Sequence, residues 1–429
     1  MKMTWIRKRL DGYLLWDYPD LGVITFGVFV VWLGLTSVWP VFTLYMQERG
    51  SSLAEISATA ASFMAASFLF QVPMGWASDR LGRKPLLLLG LAVHGTTSLL
   101  YLLAQGSGDF MILRFIDGIG GAAMMPAARA HLMDTVPAEV RGRAFGLLGA
   151  AFNGGMLLGP AIGGFMSGIT GMTSPFWFGG ATSVLAGIFL TILVHDRRGS
   201  QPAALEAEAA TPEGAPVAGI TRIPWRAIMP LFLSTVGWGF VGGFFSVVWN
   251  IWIHDLGGSL NIIGLSYTLF ALPLVFVGPW AGRLADKRNR VWLILIPSLV
   301  AAAIYFSYGF ISSIPVILAL GVLEGAMIGV LAPASDSYMA DVLPAPLRGR
   351  LQGMISSSNT AVGFIGALIC GPLYAAGPIY LFLVLSGVHV VSAVAASMLM
   401  LPTERRLRGP KRAGAGAEPR ASLAEPGAA

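Results

Sequence analysis

Long apolar runs alternate with short polar segments along the chain, and this pattern predicts a bundle of membrane-spanning helices. Each run has about 20 residues, the length that an α-helix needs to cross the hydrocarbon core of a bilayer. The predicted spans are 22–46, 55–78, 85–105, 110–132, 143–166, 176–195, 226–251, 260–282, 291–309, 315–338, 350–373 and 379–401. The expected fold is therefore all-α, an integral membrane protein with twelve transmembrane helices in two pseudo-symmetric bundles of six.

The polar segments repeat at a fixed offset, which indicates an internal duplication. A charged turn that follows the second span recurs 207 positions later, and a second segment keeps the same offset. Because six spans separate the copies, both sets of turns face one side of the membrane, and the halves are parallel repeats about an axis along the membrane normal. The equivalent pairs include Gly75 and Gly282, Asp79 and Asp286, Arg83 and Arg290, Asp134 and Asp341, and Arg141 and Arg348.

Segments without apolar periodicity set the limits of the two halves. Residues 22–195 form the first six-helix bundle and residues 226–401 form the second. The segment 196–225 is rich in Ala, Pro and Glu, which is typical of a flexible linker. The N-terminal segment 1–21 and the tail 402–429 are expected to lie in the cytoplasm, the tail being disordered.

Composition and charge place the chain in a membrane. Of its 429 residues, 55% are hydrophobic and 12% are charged, against roughly 25% charged in soluble proteins, so lipid must be its solvent. The net charge of +6 could suggest nucleic acid, but 25 of the 28 Lys and Arg residues fall in segments on one side of the predicted membrane. This is the positive-inside bias of a multi-pass protein. We expect a cell-membrane protein with both termini cytoplasmic and no nucleic-acid partner.

Two carboxylates and one guanidinium lie within predicted spans, where an ionisable side chain costs on the order of 2.5–3.5 kcal/mol. Asp117 and Glu324 occupy equivalent positions of the fourth and tenth spans, and Arg114 lies one turn from Asp117. If both point into a central cavity, the carboxylates face each other across the axis and carry a coupling proton or bind a cationic substrate. Glu324 should be the more easily protonated, because Gly321 stands at the position equivalent to Arg114. The alternatives are a structural salt bridge at Asp117 and a structural hydrogen bond at Glu324.

Arg129 and Asp336 form a further equivalent pair, with opposite charges, near the cytoplasmic ends of the fourth and tenth spans. One interpretation is an ion pair between the halves that breaks when the protein opens inward. The other is an arginine that extends its charge to the membrane interface beside an unrelated aspartate.

The charged turn and several spans resemble motifs of the major facilitator superfamily, in particular of its twelve-span drug/proton antiporters. The segment from Gly75 to Lys84 is similar to the signature between helices 2 and 3, with Ala77 where leucine is usual. Arg114 and Asp117 resemble the helix 4 motif, with Asp117 where glutamine is common. These two motifs lie in the first half, and the resemblance as a whole extends over both halves.

The first and fifth spans also carry this resemblance. Leu33, Gly34 and Pro40 are similar to the helix 1 motif, except that Thr43 replaces its last proline. The fifth span fits the helix 5 pattern GxxxGPxxGG, which marks antiporters in the superfamily. Its glycines remove side chains and its proline removes a backbone N–H, so we expect a bent helix packed closely on a neighbour. The matching residues are Gly155, Gly159, Pro160, Gly163 and Gly164.

The resemblance implies secondary active transport by alternating access, and we expect proton-coupled efflux of a small lipophilic or drug-like compound. The expected partners are a small-molecule substrate, protons and the lipid bilayer, and the protein is expected to act as a monomer. One alternative is a proton-coupled importer or facilitator of a metabolite. Another is a membrane sensor or membrane enzyme that transports nothing.

The resemblance also implies a role for the charged turns as a cytoplasmic gate. Asp79 is expected to face the start of the eleventh helix, and the repeat then places Asp286 at the start of the fifth. Arginines of the turns are expected to pair with acids of their own half. The alternative is that the basic residues only set the topology. The residues concerned are Asp79, Arg83, Asp134, Arg141, Asp286, Arg290, Asp341 and Arg348, together with Arg129 and Asp336.

Aromatic and amide side chains are the candidates for the cavity wall. Several lie on the first and seventh spans, which line the cavity in this superfamily, although tryptophans of membrane proteins are often interface anchors. An aromatic cavity with few charges suits a lipophilic substrate. The candidates are Trp32, Trp39, Gln71, Asn153, Trp238, Trp249, Asn250 and Asn359.

Other chemistry finds no support in the sequence. The five histidines have no metal-ligand spacing, and no GxxxxGK[ST] loop is present, so neither a metal site nor ATP hydrolysis is expected. No nucleophile–base arrangement indicates an enzyme, and no cofactor is expected. Cys370 is the single cysteine, which excludes an intrachain disulfide.

Overall fold

The computed structural model describes residues 18–137, 140–193, 225–343 and 348–408, and these residues form helices joined by short turns, with no strand among them. The twelve spans are α1 to α12 in chain order. The first half contains α1 (Pro19–Ser37 and Trp39–Glu48), α2 (Leu53–Leu81), α3 (Arg83–Leu100), α4 (Ser107–Thr135), α5 (Arg141–Thr170) and α6 (Ser174–Leu193). The second half contains α7 (Trp225–Val247 and Trp249–Asp255), α8 (Leu260–Lys287), α9 (Arg290–Tyr308), α10 (Ile314–Val342), α11 (Arg348–Ala376) and α12 (Pro378–Arg408).

The predicted all-α fold of twelve spans is confirmed. Eleven of the described spans are long and apolar enough to cross a membrane by length and composition alone. The twelfth is α3, whose first turn carries Arg83 and Lys84 and whose middle carries His94, so its mean hydropathy is lower. It packs between α4 and α6 as a member of the bundle.

The helices extend a few residues beyond the predicted spans at several ends. The largest difference is at α12, which continues to Arg408, so residues 402–408, predicted as part of the disordered tail, are helical. The remainder of the tail, residues 1–17 and nearly all of the predicted linker lie outside the described residues.

Local sequence signals explain where helices begin, break and end. At the start of α2, Ser52 and Glu55 form a capping box, in which each side chain binds the other's backbone N–H. The break in α1 at Val38 precedes Pro40, which has no N–H to continue the helical hydrogen bonds. The charged turn between α2 and α3 pivots on Gly82, whose φ of 102° lies in the region that favours glycine.

The buried core shows how the two halves meet. One apolar cluster contains residues of both halves, such as Phe42 and Tyr101 from the first and Phe244 and Phe382 from the second. Two further clusters each belong to a single half, and they lie toward the charged turns. The halves are therefore joined at the end of the bundle away from the charged turns, here called the far end, and have separate cores at the charged-turn end.

Backbone contacts between the halves repeat this asymmetry. The interfaces between the halves are formed by α5 with α8 and by α2 with α11. Near the far end, a Cβ on Gly164 would strike the backbone of Leu260 and lie 2.9 Å from the Cα of Gly264. Toward the charged turns, a Cβ on Gly146 or Gly353 would meet no atom within 4 Å. At these glycine positions the helices of the two halves are thus in close contact at the far end and separate at the charged-turn end.

Candidate functional site

A cavity of about 200 Å³ lies between the halves and is bounded by α1, α5, α7, α8 and α10. Its wall is mainly apolar and rich in aromatic side chains, and Glu324 is the one charged residue among the residues that line it. The cavity lies against the far-end core, so its floor is the closed part of the bundle. The aromatic lining residues are Trp39, Phe245, Trp249, Tyr267 and Phe270.

Glu324 is fully buried in the wall of this cavity. Its Oε1 accepts a hydrogen bond of 2.6 Å from the hydroxyl of Tyr305 on α9, and Tyr308 on the same helix also faces the carboxylate. Its Oε2 has no hydrogen-bond partner among the described residues. At the position that Arg114 holds in the first half, α10 has Gly321, so no cation from its own helix stands beside Glu324.

Asp117 has a different environment, despite its equivalent position. Its Oδ2 accepts a hydrogen bond of 3.1 Å from Arg114, and its Oδ1 lies 2.9 Å from Nδ1 of His94 on α3. The Arg114 guanidinium lies over the rings of Phe42 and Phe63, at 4.5 and 4.8 Å. Asp117 is therefore held inside the first half by two partners of that half.

The expectation that Asp117 and Glu324 face each other in one cavity is wrong for this structure. Glu324 lines the cavity between the halves, whereas Asp117 is turned toward α3. The physical reason is His94, whose ring nitrogen supplies a partner from a neighbouring helix. The repeat could not indicate this contact, because the position equivalent to His94 in the second half is Ala301.

The charged turns form the ion pairs expected within each half. Arg83 binds Asp134 at 3.2 Å and also contacts Asp79, and Arg290 binds Asp341 at 2.6 Å. Asp79 thus pairs in its own half in this structure. The side chains of Asp286 and Arg348 lie outside the described residues.

Other charged side chains near the charged-turn end make contacts outside these ion pairs. The buried Glu404 of α12 accepts a hydrogen bond of 3.1 Å from the backbone N–H of Arg290, a contact that the sequence did not indicate. Arg141 donates to the carbonyl of Val136 at 3.4 Å. Arg129 and Asp336 interact electrostatically across the halves, and no hydrogen bond joins these two described side chains.

A polar cluster closes the cavity at the far end. Nδ2 of Asn250 donates to the carbonyl of Trp39 at 2.6 Å and lies 3.3 Å from Oγ1 of Thr43. The hydroxyl of Tyr267 donates to Oδ1 of Asn250 at 2.9 Å. Thr43 and Asn250 are 207 positions apart, so equivalent residues of the two halves meet on the symmetry axis. We call Trp39, Thr43, Asn250 and Tyr267 the Asn250 clasp.

The other predicted cavity residues divide into two groups. Asn153 and Trp249 line the cavity, as Trp39 does. Four others are not lining residues, and the first of them, Trp32, packs on Phe152. The remaining three lie away from the lining: Trp238 packs against His389, Gln71 accepts a hydrogen bond of 3.2 Å from Ser357 of the other half, and Asn359 packs its backbone on Gly239.

The glycines of α5 allow close packing, as expected. Cβ atoms on Gly155, Gly159 and Gly163 would collide with Trp32, Thr36 and Ser37 of α1. Gly164 faces α8 instead, across the boundary between the halves. The pattern therefore serves both the packing of the first half and its contact with the second.

Twelve spans in two bundles around a central aromatic cavity define a multi-pass membrane transporter rather than an enzyme. The model of the Major Facilitator Superfamily matches residues 24–251 and 231–426, once for each half, and the chain belongs to this family.

Comparisons with individual proteins agree with this assignment. The chain is 24% identical over 379 residues to the quinolone resistance protein NorA of Staphylococcus aureus, which covers 86% of this chain and 94% of NorA. The fold is similar to that of a D-xylose–proton symporter, with a TM-score of 0.70, 17% identity and coverage of 89% of this chain and 96% of that one. It is also similar to a POT family transporter in complex with a thioalcohol-conjugated peptide, with a TM-score of 0.75, 15% identity and coverage of 90% and 96%.

Proposed function

We propose that this transporter couples proton influx to the efflux of a small lipophilic or drug-like compound. The observation that carries the proposal is Glu324, a buried carboxyl in an aromatic cavity that has no second charge among its lining residues. A lone carboxylate away from water is costly unless it takes up a proton or meets a cation. One group can therefore bind either the proton or a cationic substrate, which is the competition that antiport requires.

The side chains that line the cavity support a lipophilic substrate. Large rings such as Trp249 and Phe270 offer apolar area and face-on or edge-on contacts with an aromatic compound. A sugar or a peptide would need more hydrogen-bonding groups than the lining provides. The likeness to NorA, whose name records quinolone resistance, supports the same class of substrate. The glycine pattern of α5, which marks antiporters, supports efflux.

The transport cycle follows from the asymmetry of the two ends. The bias of Lys and Arg assigns the charged-turn end to the cytoplasm, together with both termini. With the far end joined and the Asn250 clasp formed, the cavity opens inward and collects substrate. Substrate binding displaces the proton from Glu324, the clasp opens, and substrate leaves on the outer side, where a new proton returns the protein to its first state.

The charged turns stabilise the state that is closed at the cytoplasmic side. In that state Asp79 meets the start of α11 and Asp286 meets the start of α5, where helix N-termini favour negative charge by about 0.3–2 kcal/mol each. The pairs Arg83–Asp134 and Arg290–Asp341 hold the turns in position within each half. Weak individual contacts suit a gate that must reopen in every cycle.

Ethidium uptake into inverted membrane vesicles tests the proposal. Wild-type vesicles should accumulate the dye when their lumen is acidified and lose this uptake when a protonophore collapses the gradient. Glu324→Gln should lose gradient-driven uptake by a factor of about 100, because the neutral amide can neither take up the proton nor pair with the cationic dye. Asp109→Asn, which neutralises an exposed carboxylate outside the cavity, is the matched control.

Two results would contradict the proposal. Glu324→Gln with wild-type gradient dependence would remove Glu324 from proton coupling. Dye movement only out of inverted vesicles, together with the protons, would indicate an importer instead.

A further inference from the structure

On the side of Glu324 that faces away from the cavity lie further buried polar side chains of the second half. The hydroxyl of Tyr305 binds the carboxylate at 2.6 Å. The ring of Tyr305 meets the ring of His389 on α12 edge to face, with centroids 5.5 Å apart. Glu324 and Tyr305 are completely buried and His389 is 2% exposed, so three titratable side chains from α9, α10 and α12 adjoin one another inside the bundle.

His389 has no packing role that requires a histidine. Neither ring nitrogen has a hydrogen-bond partner among the described residues. The neighbouring backbone N–H of Gly237 already donates to Ser392 at 3.0 Å, and the other close neighbour is the ring of Trp238 at 4.6 Å. A buried polar nitrogen without a partner lowers stability, and phenylalanine in the same space would avoid this cost.

We propose that His389 and Tyr305 form a proton relay with Glu324, an inference that rests on the proposed proton coupling at Glu324. A proton held on the imidazole of His389 reaches Tyr305 through one bridging water. Tyr305 passes its own hydroxyl proton to the carboxylate and receives the replacement from that water. The imidazolium and carboxylate become imidazole and carboxylic acid, while tyrosine and water are unchanged.

The surroundings of the relay contain few competing charges. The helices packed against α12 are chiefly α7 and α9. From α9 the titratable groups are Tyr305 and Tyr308, and α7 presents Trp238. Among the described residues no charged side chain acts on His389.

Relay and substrate access are thus on different sides of Glu324. The cavity side receives the substrate, and the Tyr305 side connects to His389. This separation gives the proton that the substrate displaces a path away from Glu324, which a carboxyl reached only through the occupied cavity would not have.

The test compares two measurements on the full-length protein in proteoliposomes, with ethidium as the probe. The first is ethidium transport driven by a pH gradient, recorded as a function of pH. The second is ethidium exchange at equal pH. His389→Phe keeps the ring volume and removes both nitrogens, and Tyr305→Phe removes only the hydroxyl. His254→Phe, at an exposed histidine of α7, is the matched control.

We expect His389→Phe and Tyr305→Phe each to lower gradient-driven transport at least roughly tenfold and to flatten its pH profile, with exchange within about twofold of wild type. Wild-type pH profiles in both variants, with Glu324→Gln defective, would overturn the relay and leave the proposed function intact. Equal losses of exchange and driven transport would make His389 and Tyr305 packing residues and overturn the relay as well. If His389→Phe fails to fold, Tyr305→Phe alone decides between these results.

Discussion

At the scale of the residue, two carboxylates at equivalent positions have acquired different environments. Asp117 has Arg114 and His94 as partners, and Glu324 has a tyrosine hydroxyl and the cavity. A duplicated sequence supplies the same helix position twice, but the neighbouring helices decide which partner each side chain meets. In the proposed mechanism, Asp117 therefore keeps its charge and Glu324 exchanges a proton.

Asp117→Asn tests this division of roles. The substitution removes the negative charge beside the Arg114 guanidinium, and breaking a buried pair costs about 3 kcal/mol. We expect a melting temperature in detergent that is several degrees lower, with the pH dependence of ethidium transport unchanged. A changed pH profile, like that expected of Glu324→Gln, would instead place Asp117 in the coupling mechanism.

At the scale of the helix, glycines determine how closely the halves approach. The contact of Gly164 on α5 with Gly264 on α8 leaves no room for side chains. Loss of this contact would separate the halves at the far end, where the structure joins them. In the proposed cycle the energetic effect of such a loss falls on the state that is closed at the far end, because the contact belongs to that state.

Gly164→Ala should therefore slow transport by favouring the state that is open at the far end. A Cβ forced against backbone costs about 1–3 kcal/mol, which corresponds to a shift of roughly 5- to 150-fold in the equilibrium between states. We expect ethidium efflux at least about fivefold slower, at equal amounts of folded protein in the membrane. Gly187→Ala on α6, where a Cβ meets nothing within 4 Å, is the control, and an equal loss in both variants would contradict the argument.

At the scale of the whole molecule, the sequence could predict what the repeat determines. The offset of 207 led to the twelve-span fold and to the pairs Arg83–Asp134 and Arg290–Asp341, both present in the structure. Contacts between neighbouring helices, such as His94 with Asp117, could not be predicted, because the offset shows which positions are equivalent and not what each side chain touches.

The Asn250 clasp is a second contact that the sequence could not predict. In the sequence, Thr43 departs from the helix 1 motif and Asn250 is a candidate for the cavity wall. The repeat offset already related the two positions, but only the structure shows that they meet. A proline at position 43 would have no side-chain oxygen for this contact, so the departure from the motif makes the clasp possible.

Asn250→Val should weaken the joined far end of the molecule. The variant keeps most of the side-chain volume and removes the hydrogen bonds to Trp39, Thr43 and Tyr267, each worth about 0.5–1.5 kcal/mol. The equilibrium should therefore shift toward the outward-open state.

A cysteine introduced as Met156→Cys in the cavity wall, in a Cys370→Ala background, reports the change through labelling by a membrane-impermeant maleimide added outside intact cells. We expect labelling to be roughly tenfold faster than without Asn250→Val, because a loss of about 1.4 kcal/mol changes an equilibrium tenfold. Ser37→Ala, which removes a hydrogen bond within α1 only, should leave the rate unchanged, and equal rates in both backgrounds would show that the clasp does not hold the far end closed.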